Sequence, residues 1–139
     1  MEKLIKDIYK DTCEISGSEL SSLELWYNEL LKKSIRELSI LDISRMLRQN
    51  VLLPLALSKA MERLIKNPMD GEMYDGDLLK QVVNAMKNHG VAVEKQAAEE
   101  FIIITNIEKN AYEWEFEEDK AEYEELLDDF IKMAGSPHK

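Results

Sequence analysis

Apolar residues recur every three or four positions along most of this chain, the spacing that gathers one face of an α-helix against a core. Leu4, Ile5, Ile8 and Tyr9 predict a short first helix, with Cys13 at its end as a small apolar residue and Ser16-Gly17-Ser18 breaking it. The helical pattern resumes over Leu23 to Ile35 through Trp26, Leu30 and Leu31. Ser39, with Asp42 three residues on, makes a capping-box-like start. Behind it Ile40, Ile43, Met46 and Leu47 share a face, while Arg45, Arg48 and Gln49 point elsewhere. Pro54 fits the first turn of the next helix, where a missing N–H costs little. Leu53, Leu57, Ala60, Met61 and Leu64 then face inward until Asn67-Pro68 stops that helix. Asp75 is placed to cap the following one, whose stripe of Leu79, Val82, Val83 and Met86 ends at Asn88-His89-Gly90.

After Gly90 two readings compete. Phe101-Ile102-Ile103-Ile104-Thr105 is rich in strand formers and Tyr112 to Phe116 alternates strictly, so a hairpin over about 101–105 and 112–116 is expected, with Asn106 and Asn110 between its strands. A continuous helix from Val93 to Lys109 is the competitor, supported by Ala97, Ala98 and the glutamates around them. The alternation tips the balance slightly to the hairpin. The last helix, from about Glu118 to Met133, buries Tyr123, Leu126, Leu127, Phe130 and Ile131 and ends at Gly135. The expected fold is therefore mostly α, one domain over 1–139, with a C-terminal β-hairpin.

Composition changes the picture in one respect: where the acid lies. Between Glu113 and Asp129 stand ten Asp or Glu residues and one base, Lys120, so this segment carries −9 of the chain's net −10. Segregated charge makes a directional field that attracts a basic partner and repels nucleic acid and anionic membrane. A disordered tail would lack the bulky apolar residues interleaved here. Glu118, Glu122, Glu125 and Asp129 fall at i, i+4, i+7 and i+11 of the last helix, a single outward stripe. Like charges at that spacing cost only a few tenths of a kcal/mol per pair, so a solvated face is as ready an explanation as a binding one. Tyr112, Trp114 and Tyr123 would serve a binding face as aromatic anchors, or the core as packing. The lone Cys13 excludes an internal disulfide and suits a reducing cytosol. No run approaches the roughly 20 apolar residues of a membrane span.

The search for chemistry returns no catalytic, cofactor or metal site. His89 and His138 have no metal-ligand neighbour at three or four residues, and His89 suits a helix end. Cys13 has no activating base near it in sequence. Gly71 and Gly76 have the spacing of a phosphate loop, but Asp77 and Leu78 stand where Lys and Ser or Thr are required. Asp70, Glu72, Asp75 and Asp77 miss the calcium-loop pattern, leaving a tight turn and a helix cap. Lys32, Lys33, Arg36, Arg45 and Arg48 are only modestly basic, and a pI near 4.7 argues against nucleic-acid binding.

The stretch LSILDISRMLRQNVLLPLALSKAMERLIKNPM, followed by DGDLLKQVV, resembles contact-dependent growth inhibition immunity proteins. In that family an "LxxLxxLIxQ" helix leads into "GLxxLxPLALxxLxxDPL", then a tyrosine and "PGDLL". Leu41, Leu47, Arg48, Gln49, Leu57, Leu64, Asn67, Pro68, Tyr74, Gly76, Asp77, Leu78 and Leu79 stand in the matching places over about Leu38 to Val83. Asp75 replaces the usual proline, and Pro54 falls earlier than in the family. The resemblance implies a bacterial cytosolic protein, without turnover, that binds and neutralises the toxic C-terminal domain of a delivered toxin, often a nuclease. A basic nuclease would meet carboxylates, which nominates Glu113, Glu115, Glu117, Glu118, Glu122, Glu125 and Asp129 as the toxin-binding residues. The rival readings are an acidic helical adaptor or regulator of another basic protein and, more distantly, a small hydrolase using Asp and Glu. Oligomeric state is left open.

Overall fold

The computed structural model of the chain describes residues 3–71, 76–108 and 112–134. Among these the helices run α1 (Ile5–Ile8), α2 (Ser22–Leu31), α3 (Ile40–Gln49), α4 (Leu53–Lys66), α5 (Asp77–His89), α6 (Lys95–Glu108) and α7 (Glu117–Ala134), with a 3-10 turn at Ile35–Glu37. The chain divides into two compact units, Met1–Asp42 and Ile43–Lys139, and the division falls inside α3.

In the first unit Ile5, Leu30 and Leu31 are fully buried. Leu4 forms an isolated antiparallel bridge with Ser34, and the Ile5 amide donates to the Lys33 carbonyl at 2.8 Å. Side chains do much of the remaining tying. The Asn28 amide group grips the Ile15 backbone from both sides, accepting from its N–H at 2.7 Å and donating to its carbonyl at 2.9 Å. Asp42 is 3% exposed and gathers three donors: Lys33 Nζ at 2.6 Å, Trp26 Nε1 at 2.9 Å and the Ser39 amide at 3.2 Å. The Ser39 hydroxyl accepts from the Asp42 amide in return, which completes the expected capping box. Burial pushes the Asp42 carboxyl up, but these hydrogen bonds and the Lys33 charge outweigh it and hold the carboxyl below its ordinary value.

In the second unit α4 packs on α5 and α6, and α7 packs on α5 and α6. The stripes read from spacing are the ones buried: Leu53, Leu57, Ala60, Met61 and Leu64 on α4, and Leu79, Val82, Val83 and Met86 on α5. Pro54 lies in the first turn of α4, Asn67 caps its C-terminus, and Gly90 at φ +64° ends α5. Gly76, at φ +88°, is the N-cap residue of α5. The proposed Asp75 cap, the Gly135 stop and Asn110 lie outside the described residues.

The hairpin expected at 101–105 and 112–116 is not formed. Residues 101–105 lie inside α6, and no strand occurs among the described residues. Strand propensity is a weak prior that tertiary packing overrides. Ala98, Phe101 and Thr105 are buried at i, i+3 and i+7, a helical face, and Phe101 meets Phe130 of α7 edge-on at 5.2 Å. The Thr105 hydroxyl donates to the Phe101 carbonyl one turn back at 2.6 Å, which accommodates a β-branched residue in the helix. Ile103 and Ile107 are 61% and 66% exposed, so the strand-like composition does not report which residues the core takes. The alternation from residue 112 survives in exposure only as far as Glu115: Tyr112 and Trp114 are half-buried and Glu113 and Glu115 exposed, but Phe116 is exposed as well.

Smaller differences follow the same logic of packing over pattern. α1 stops at Ile8 and Cys13 is exposed beyond it. α2 stops at Leu31, so Ile35 belongs to the 3-10 turn. On α7 Tyr123, Leu127 and Phe130 are buried, but Leu126 is half-buried and Ile131 exposed, which narrows the expected face.

Candidate functional site

The acidic segment begins in the irregular stretch before α7 and continues along that helix. Glu117, Glu118 and Asp119 occupy the first turn of α7 and Lys132 the last. Carboxylates there face the positive end of the helix dipole, so the crowding is partly offset locally. Glu113, Glu115, Glu117, Glu118, Glu122 and Glu125 are exposed, and Asp129 is half-buried. The stripe at i, i+4, i+7 and i+11 divides into two kinds. Glu122 Oε2 lies 3.5 Å from Lys80 Nζ, and Asp129 Oδ2 lies 2.9 Å from Lys87 Nζ. Lys80 and Lys87 are seven residues apart on α5, matching the seven between Glu122 and Asp129, so these two acids lie along the α5·α7 seam. Glu118 and Glu125 are left as the solvent-facing members.

Beside them lies a cavity of about 410 Å³ lined by Gly76, Lys80, Tyr112, Trp114, Glu115, Asp119, Glu122, Tyr123 and Leu126. Tyr112 and Trp114 meet edge-on with ring centroids 4.7 Å apart, and Trp114 tilts against Tyr123 at 5.6 Å. Tyr123 is fixed on two sides. Its hydroxyl donates to the Pro68 carbonyl at 3.1 Å, and a Cβ at Gly76 would come within 3.0 Å of its ring. Burial pushes the Tyr123 phenol well above the ordinary tyrosine value. Nearby, Arg63 Nε donates to Asp70 Oδ2 at 2.7 Å and the Gly76 amide donates to the Met69 carbonyl at 2.8 Å. The structure thus brings Glu115 and Glu122 together with all three nominated aromatics. Asp119, Lys80 and Gly76 were missed by sequence reasoning. Asp119 precedes Glu122 and Tyr123 by three and four residues, a helical register that places the three on one face.

Elsewhere the nominated chemistry stays structural. Asp77 is 2% exposed in the first turn of α5 and accepts from Gln81 Nε2 at 3.3 Å. His89 lies in the last turn of α5. Glu72, Tyr74, Asp75 and His138 lie outside the described residues. Among the described residues no three His, Cys, Asp or Glu side chains gather as a metal site, and no helix is long and apolar enough to cross a membrane.

A family model of CDI immunity proteins matches residues 7–100, more than half of the chain. The chain belongs to the CDI immunity protein family. No curated protein matches it. CDI stands for contact-dependent growth inhibition, and membership implies neutralisation of a toxin in such a system. The matched region begins within α1, takes in α2 to α5 and ends within α6, so the family pattern includes parts of both compact units and stops before the acidic segment. Within it Leu47, Leu57, Leu64, Pro68, Gly76, Asp77, Leu78 and Leu79 are buried, whereas Leu41, Arg48, Gln49 and Asn67 are exposed. The residues that carry the resemblance are mainly scaffold.

Proposed function

We propose that this immunity protein acts in the cytosol, without turnover of its own, by binding the toxic C-terminal domain of a delivered bacterial toxin through its acidic segment. The family match carries the role. The surface rests on exposed Glu113, Glu115, Glu117, Glu118 and Glu125, with Glu122 and Asp129 along the seam, in a segment that holds nearly all the net charge. The partner is a basic protein, and a nuclease fits best, because an active site that grips phosphate also attracts carboxylates. One domain over 1–139 presents this segment, and the complex buries on the order of 1,600 Å² in total.

Titrating the purified toxin domain encoded beside this gene with the immunity protein tests the reading. A sharp equivalence point is expected, together with loss of nucleic-acid cleavage. Toxin activity that persists at saturating immunity protein would reject the assignment for that pair.

A further inference from the structure

The cavity between the start of α5 and the start of α7 has walls of two kinds: the rings of Tyr112, Trp114 and Tyr123, and the carboxylates of Glu115, Asp119 and Glu122. Each wall narrows what can enter. Among the described residues that line the cavity, an anion would meet three carboxylates and the ammonium of Lys80, which is already 3.5 Å from Glu122. An apolar guest would strip water from those carboxylates and offer them no hydrogen bond. A cation suits both walls, because aromatic faces carry partial negative charge and attract it alongside the acids.

Arginine suits them better than lysine. Its planar guanidinium stacks on an indole face while its edge still offers N–H donors in the fork that matches a carboxylate. An ammonium acts as a point charge and gives up one of the two. Size agrees, since about 410 Å³ lies in the range of pockets that hold small ligands and leaves room for one long side chain. The floor is also set in advance: Tyr123 is held by Pro68 and Gly76 before any partner arrives.

We propose that this cleft receives one arginine side chain of the bound toxin domain as the central anchor of the complex. The proposal rests on the toxin-binding reading above and divides the labour within it: Glu118 and Glu125 steer the approach, and the aromatic cleft holds what has arrived.

Two measurements test it, and they fail separately. In the first, the toxin domain binds wild type, Trp114→Leu and the double variant Glu115→Gln/Asp119→Asn. Each variant is expected to weaken affinity about 30-fold, chiefly through faster dissociation, as loss of a buried anchor does. Glu115 and Asp119 are exposed, so the double variant keeps its melt and decides the matter if Trp114→Leu does not fold. In the second, a blocked peptide with one arginine is titrated while the Trp114 indole N–H resonance is followed, against the same peptide with neutral citrulline. The arginine peptide should shift the resonance in the millimolar range, the citrulline peptide should not, and the double variant should abolish the response. Unchanged toxin affinity in the double variant, or equal shifts from both peptides, would overturn the proposal. Self-association of wild type that the double variant dissolves would give the cleft to a second copy and also overturn it. A toxin that fails to bind wild type while the arginine peptide still shifts Trp114 would retire the functional reading and leave a guanidinium site in place.

Discussion

Asp42 and the carboxylates of 113–129 are the same chemical group in opposite circumstances. Asp42 is buried and has a donor on every side: an ammonium, an indole N–H and a backbone N–H. Its negative charge is an architectural element, joining α2, the 3-10 turn region and the cap of α3 within the first unit. Glu118 and Glu125 are exposed on α7, with water as their solvent and their charge available to whatever approaches. Glu122 and Asp129 stand between these extremes, each beside a lysine of α5 at the surface. Burial and donor count, more than residue type, decide whether a carboxylate builds the fold or faces a partner.

The comparison is broken most directly at Asp42. Asp42→Ala should lower stability by about 2 kcal/mol, because it takes a buried acceptor from three part-buried donors and removes a cap, although Lys33 is exposed enough to recover part of its hydration. Urea unfolding measures this, and Asp42→Asn, which keeps an acceptor for Trp26, should lose less. A change below about 1 kcal/mol would show that the node contributes no more than a surface ion pair.

Acid sharpens the same contrast. The folded Asp42 carboxyl holds its proton more weakly than the unfolded one, whose pKa is about 3.8. The stability it contributes is therefore complete above that value and is lost as the pH falls through the lower folded pKa. Melting wild type and Asp42→Asn from pH 6 down to pH 2 should give curves that converge in acid. Parallel curves would remove Asp42 from the acid response.

Part of this was legible in the sequence. The Ser39–Asp42 box, the α4 and α5 stripes and the ends at Asn67 and Gly90 follow from local rules, which act within a few residues and need no partner. The other donors to Asp42 did not, because Trp26 and Lys33 lie sixteen and nine residues away and only the fold brings them near. The hairpin failed for a related reason: β-branched composition measures local preference, whereas Phe101 is claimed by Phe130 from another helix. Of the candidate site, the acidic segment was visible as composition and its aromatics were named. That Gly76 and Lys80 complete a cleft around Tyr123 depends on α5 lying against α7.

The intermediate pair should give an intermediate effect. Glu122→Lys and Asp129→Lys each replace a surface ion pair with like charges facing Lys80 or Lys87, and each should cost about 1 kcal/mol of stability. Raising the ionic strength should reduce that cost, since both pairs are solvent-accessible. Melts that match wild type at low salt would return these two acids to the solvent-facing class.

The smallest change in stability is expected at Glu118 and Glu125, together with the change in behaviour most specific to them. Reversing both to lysine should shift unfolding by no more than roughly 0.5 kcal/mol, as at other exposed sites. Association with the toxin domain should nevertheless slow markedly, because long-range attraction acts on encounter more than on the closed complex. Added salt should slow wild-type association far more than the variant's, since it screens an attraction that the variant lacks. Glutamine at the same two positions should fall between, removing attraction without adding repulsion. Stopped-flow rates at two ionic strengths decide the matter. Equal rates and equal salt slopes for wild type and the lysine variant would make the outer stripe a solvated face, and binding would then have to come from a surface other than these carboxylates.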